Sequence, residues 1–155
     1  MKFFVPTLLT LVAGAMASIE VVLRSVSTDL AISGLYVDTH KEVTGTSWLF
    51  LSEQGNIQTF YHETGNNTFH TDVAADAVYY LHVSGNNVVF TTKASDEFGI
   101  VPYLTYNGFD SYFYACSGIV DPKDYNDLQY LIMYYEVGEI VPAGCSATYI
   151  NVLLP

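Results

Sequence analysis

Basic residues are scarce in this chain: five lysines and arginines stand against 16 aspartates and glutamates in 155 residues, a formal net charge of −11. A protein that grips a phosphate backbone needs a cationic face to displace counterions, so nucleic acid is not an expected partner. Charge of either sign is thin as well. It makes up 14% of the chain while 50% is hydrophobic, which excludes a disordered, charge-driven polypeptide. The apolar run Phe3 to Met16 is shorter than the roughly 20 residues of a spanning helix and is interrupted by Pro6, so no transmembrane segment is expected. The chain has no Gly-x-Ser-x-Gly elbow, phosphate loop, dinucleotide fingerprint or His-x-x-x-His pair. No catalytic class is signalled, and no cofactor is expected.

What the N-terminus does contain is a secretory leader: Met1-Lys2, an apolar stretch, and the small-x-small site Ala15-Met16-Ala17. Cleavage after Ala17 divides the sequence into a signal peptide, 1–17, and one secreted domain, 18–155. The mature 138 residues keep four basic side chains (Arg24, Lys41, Lys93 and Lys123) against all 16 acids, a net charge of −12. A chain of this length buries about two-thirds of its unfolded surface, enough for one core. The expected destination is extracellular or the cell wall. The C-terminal Thr148–Pro155 lacks the polar spacer and tail of a lipid-anchor signal and reads as a final strand.

Both cysteines lie in the exported part, where oxidation is the default. A single Cys116–Cys145 bridge is expected, clipping the last strand to the one that ends at Cys116. Closing such a loop is worth about 3–4 kcal/mol in the chain-entropy model. Two thiols without partners at ligand spacing do not make a zinc site.

Turn signals recur at short intervals, among them Ser33-Gly34, Gly65-Asn66-Asn67, Gly85-Asn86-Asn87, Asn107-Gly108 and Pro142-Ala143-Gly144. Between them lie strand-length runs rich in Val, Ile, Thr, Tyr and Phe: Ile19–Val26, Trp48–Leu51, Ile57–His62, Val78–Val83, Val88–Thr92, Ser111–Cys116, Leu128–Tyr135 and Ala147–Leu153. Val78–Val83 is apolar on most of both faces and reads as a central strand. Leu128–Tyr135 is apolar enough for a helix to remain open there. The two Gly-Asn-Asn turns hint at duplication of a hairpin. Ten to twelve short strands predict an all-β fold, a single antiparallel β-sandwich or closed barrel, with a β-trefoil-like arrangement fitting equally well.

Candidate chemistry is dispersed. The histidines His40, His62, His70 and His82 follow no metal spacing; His62 and His70 flank a turn and can face each other as a two-ligand site, but surface positions are expected and no metal is assigned. The loop Asp121–Asp127 offers oxygen ligands without the order of a calcium loop. The pairs Asp96-Glu97 and Glu136 with Glu139 supply carboxylates for a glycosidase, yet nothing selects a pair. Aromatics are abundant, with 13 Tyr, 9 Phe and 1 Trp. In the cluster Tyr103, Tyr106, Phe109, Tyr112, Phe113 and Tyr114, and at Trp48, they serve either as core or as a platform for sugar rings. Trp48, Tyr103, Tyr106 and Tyr112 are the candidate carbohydrate contacts. Asn66-Asn67-Thr68 is the single N-glycosylation acceptor, at Asn66 in an expected exposed turn.

Three stretches together resemble a family of small fungal cell-wall proteins, the phialide-development PhiA-like group: the early Arg24-Ser25 segment running to Gly34, the strand-turn-strand Val78–Thr91 with its Tyr-Tyr and Phe-Thr elements, and the late pair carried by Tyr114-Ala115-Cys116 and Pro142-Ala143-Gly144-Cys145. The family's additional cysteines before the middle have no counterpart here, leaving one bridge at most. The resemblance implies a non-enzymatic, secreted fungal wall or surface protein with a structural or interaction role. Its partners would be wall polysaccharide or wall proteins. A lectin-like module using the surface aromatics is the alternative reading.

Overall fold

A computed structural model describes residues 17–43, 45–52, 57–74, 77–94, 97–110, 112–118 and 130–155. The expected leader, up to residue 16, and the acidic loop Asp121–Asp127 lie outside these residues. Twelve strands carry the regular structure: β1 (Ser18–Val26), β2 (Tyr36–Val43), β3 (Thr46–Ser52), β4 (Phe60–Glu63), β5 (Thr68–Ala74), β6 (Ala77–Ser84), β7 (Asn87–Thr91), β8 (Phe98–Ile100), β9 (Leu104–Tyr106), β10 (Phe113–Cys116), β11 (Tyr130–Tyr134) and β12 (Cys145–Leu153). No helix among the described residues is long and apolar enough to cross a membrane. The all-β expectation holds, and Tyr130–Tyr134, where a helix was open, is strand.

All strand pairings are antiparallel, and they close a ring. The circuit β12–β1–β4–β5–β6–β7–β3–β11–β10 returns to β12, with β2 bridging β1 and β3. Closure leaves these nine strands without a free edge. The connectivity is also nearly three-fold. Three hairpins, β2–β3, β6–β7 and β10–β11, have second strands that pair with one another cyclically: Trp48 opposite Val89, Met133 opposite Asn87, and Leu131 opposite Phe50. The first and fourth strands of each group of four also meet, by pairing in β1–β4 and by contact in β5 with β8 and β9 with β12. The closed barrel is therefore the trefoil-like one.

Alternation decides which residues fill the barrel. On β6, Tyr79 and Leu81 turn inward while Val78 is 41% exposed, so this strand, though flanked by β5 and β7, presents one face outward. β11 is instead buried on both faces. Its Ile132 and Tyr134 join the interior with Phe60, Phe90, Phe113, Leu49 and Leu81, while Leu131 and Met133 join a second apolar cluster on the opposite face with Phe50 and Cys116. That second cluster explains the continuous apolar run of Trp48 to Leu51 on β3, where Leu49 and Leu51 face the interior and Trp48 and Phe50 face the satellite.

The two Gly-Asn-Asn turns are not structural duplicates. In β6–β7, Gly85 takes φ +60° as the first of two central residues, as a type II′ hairpin requires. In β4–β5 the positive φ falls on Asn67, at +54°, in a four-residue connection. The first hairpin belongs to the cyclic cap and the second to the barrel wall, so their sequence likeness reflects shared turn chemistry rather than equivalent positions.

The expected bridge is present. Cys116 and Cys145 sit directly opposite in β10 and β12 and are joined as a disulfide, so the last strand is tied to the strand ending at Cys116.

Candidate functional site

A concave region with converging polar groups lies where the β6–β7 turn, the end of β9, the start of β10 and the end of β11 meet. Its floor is Tyr134, the last residue of β11, which is 3% exposed. Tyr106, Tyr112 and Phe113 pack around it with ring centroids 4.9, 6.0 and 5.5 Å away, all tilted steeply to its plane. Edge-to-face contact of this kind places the positive ring edge against the negative face.

Local turn chemistry sets the walls. Asn107 and Gly108 both adopt positive φ, +51° and +82°, and Phe109 N–H donates to the Tyr106 carbonyl, giving the Asn-Gly reversal of a type I′ turn. That turn carries Phe109 back beside Tyr112, at 5.2 Å between ring centroids, and leaves it 51% exposed. After β11 the chain reverses again over Glu136–Glu139. Glu139 N–H donates to the Glu136 carbonyl, and Gly138 at φ +92° occupies the position that a type II turn reserves for a residue of positive φ.

Asn86 locks the two turns together. Its carbonyl accepts the Tyr134 N–H at 2.8 Å, and its side-chain amide donates to the Tyr134 carbonyl and to Glu139 Oε2, each at 3.0 Å. The same Glu139 oxygen accepts the Glu136 N–H at 2.7 Å. One carboxylate is thereby held by two donors in a fixed pose.

The concavity has two compartments that share Tyr134 and Glu136. The more apolar one, about 310 Å³, is lined by Asn107, Phe109, Tyr112 and Val137; the more polar one, about 240 Å³, by Asn86, Tyr106, Glu139 and the Gly85 turn. The Tyr106 phenol donates to Glu97 Oε2 at 2.8 Å, and burial followed by that carboxylate pushes its pKa up to about 12. Burial, followed by Glu136, also raises Tyr134. Both phenols therefore keep their protons in neutral water, and Tyr106 donates its own to Glu97. Flat rings, fixed carboxylates, amides and phenolic donors suit recognition of a polyhydroxylated ring.

Of the four candidate sugar contacts, the structure brings two together. Tyr106 and Tyr112 line the concavity. Trp48 lies elsewhere, on the outward face of β3 against the satellite cluster, and Tyr103 packs at 5.0 Å on Tyr149 beside its bridge to Asn151. Phe113 is core, and Tyr114 joins Tyr135 in the satellite cluster. Residue types alone did not mark Tyr134 or Asn86 as site residues. Asn86 and Glu139 are 53 positions apart, and only the fold joins them.

The histidines form no metal pair. The β4–β5 register sets His62 opposite Phe69 and Tyr61 opposite His70, so the two imidazoles lie on opposite faces of the hairpin. His62 is not at the surface: it stacks on Phe69 at 4.6 Å, and burial holds its pKa below the ordinary value. His70 faces outward and meets Glu63 at 3.0 Å, a contact that pulls the Glu63 carboxyl down. Among the described residues no group of three or more His, Cys, Asp or Glu is placed to hold a metal ion.

No family model matches the chain, and no curated protein or solved structure shows significant similarity to it.

Proposed function

We propose that the protein is a secreted, non-enzymatic surface protein of the fungal wall that works by binding wall polysaccharide in the concavity around Tyr134. The observation that carries this reading is the convergence of Phe109, Tyr112 and Tyr106 on two small compartments edged by Glu136, Glu139 and Asn86. Aromatic faces take the apolar faces of pyranose rings, while carboxylates and amides take their hydroxyls. The leader, the acidic charge and the bridge support a role outside the cell, where a closed and crosslinked barrel resists unfolding. The likeness to PhiA-like wall proteins supports the same setting.

Pull-down on chitin, glucan and mannan tests the reading. Saturable binding to at least one of them is expected, with Tyr112→Ala lowering affinity about tenfold through loss of one stacking face. Trp48→Ala is expected to leave binding unchanged, because Trp48 packs on a different cluster. Binding that survives Tyr112→Ala but is lost in Trp48→Ala would move the site to β3 and overturn the assignment.

We also propose that Asn66 carries an N-linked glycan. It lies in the exposed β4–β5 turn, its side-chain oxygen accepting the Thr68 hydroxyl at 2.8 Å, on a hairpin separate from the concavity. The secreted protein is expected to gain electrophoretic mobility after endoglycosidase treatment and in Asn66→Gln. Unchanged mobility in both removes the glycan.

A further inference from the structure

We propose that the occupant of the concavity is a cationic amino sugar, an oligosaccharide of glucosamine units whose ammonium group sits between Glu136 and the aromatic floor. This narrows the carbohydrate reading above and rests on it.

Among the described residues neither compartment is lined by a lysine, arginine or histidine, and Glu136 borders both. The two acids are not alike. Glu139 Oε2 is committed to Asn86 and to the Glu136 N–H, so this side chain shapes the wall. The Glu136 carboxylate accepts no hydrogen bond from any described residue, and it lies at the exposed start of the turn. It is the open acceptor of the site. Beside it, Phe109, 51% exposed, and Tyr112 line the same compartment, and an aromatic face attracts a desolvated ammonium more strongly than a neutral amide. Negative potential from Glu136 and Glu139 also contributes to keeping the Tyr134 phenol protonated, after burial; the same potential stabilises a cation.

The whole molecule reinforces the local field. The net charge of −12 over residues 18–155, 4 basic against 16 acidic side chains, concentrates cations around the surface and repels uronic-acid polymers. A neutral sugar would place only hydroxyl groups against Glu136. A glucosamine unit supplies the pyranose face for Phe109 and Tyr112 and the ammonium for Glu136 in one residue, and two small compartments with a common wall fit two successive units.

Calorimetric titration of the full secreted protein with a glucosamine tetramer, an N-acetylglucosamine tetramer and tetralysine separates the possibilities, at mildly acidic pH where the sugar amines are charged. The glucosamine tetramer is expected to bind about tenfold tighter than its acetylated form, with the preference fading as salt rises from about 50 to about 500 mM. Glu136→Gln is expected to bring the ratio of the two sugars to about one. Should that variant fail to fold, the salt series on the unaltered protein decides the same point.

Equal or tighter binding of the acetylated tetramer overturns the amino-sugar assignment and leaves the carbohydrate reading standing. If neither tetramer binds, the amino-sugar assignment falls, and the carbohydrate reading falls with it only if glucan and mannan also fail in the pull-down. Tetralysine binding as tightly as the glucosamine tetramer, with Tyr112→Ala indifferent, makes the concavity a peptide-cation site and also overturns the proposal.

Discussion

Phe90→Ala is expected to destabilise the protein by about 3–5 kcal/mol, enough to lower the melting temperature by roughly 10 °C or more. The reason is the position of this ring. It is fully buried within β7, opposite Leu81 of β6 on one side and Ser47 of β3 on the other. It also stacks on Phe60 of β4 at 5.4 Å with the planes only 6° apart. Since β7 belongs to the cyclic cap and β4 to the wall that continues through β1, the pair ties the cap to the barrel interior. Truncation leaves a cavity bounded by hydrogen-bonded strands on both sides, which have little freedom to collapse into it. Val78→Ala, on the outward face of the neighbouring strand, is the matched control and should stay within about 0.5 kcal/mol. Thermal and urea melts of both variants check the contrast. A Phe90→Ala loss below about 1 kcal/mol would mean that this interior is not close-packed.

What sequence made legible here follows the reach of the interactions involved. Turns are local, so Asn107-Gly108 and Gly85-Asn86 announce their reversals, and the structure gives Asn107, Gly108 and Gly85 the positive φ that glycine and asparagine tolerate. Strand existence was legible where β-branched and aromatic residues run together. The polar β2, Tyr36-Val37-Asp38-Thr39-His40-Lys41-Glu42-Val43, and the three-residue β8 and β9 give no such run, and pairing with neighbours makes them strands.

Faces were less legible, because they depend on register. A four-residue connection after Glu63 sets Glu63 opposite Thr68, which fixes His62 opposite Phe69 and separates His62 from His70. A connection shifted by one residue would have put both imidazoles on one side. β11 lost its apparent ambiguity only when a satellite cluster supplied a second apolar surface for Leu131 and Met133. The candidate site was half legible for the same reason. Tyr106 and Tyr112 stand in an obvious aromatic cluster, whereas the junction of Asn86, Tyr134 and Glu139 is long-range and depends on the closure of the barrel.

The second large effect concerns that closure. Removing the Cys116–Cys145 bridge, by reductant or by the double variant Cys116→Ala/Cys145→Ala, is expected to cost about 3–4 kcal/mol and roughly 10 °C of melting temperature. The two cysteines face each other across adjacent paired strands, so the native sheet needs no crosslink to keep them together. The stabilisation arises mainly in the unfolded chain, whose freedom is cut when residues 29 positions apart are joined. That closed loop contains β11 and the Glu136–Glu139 turn, the elements that supply Tyr134 and both site carboxylates. Ligand affinity measured well below the melting point should accordingly be preserved after reduction, while resistance to denaturant falls. Cys116 is also 1% exposed against Phe50, Leu131 and Met133, so the alanine variant adds a small packing loss that reductant alone does not. Urea titration with and without reductant, read beside the double variant, separates the two contributions. An unchanged midpoint on full reduction would show that the unfolded ensemble already holds these strands together.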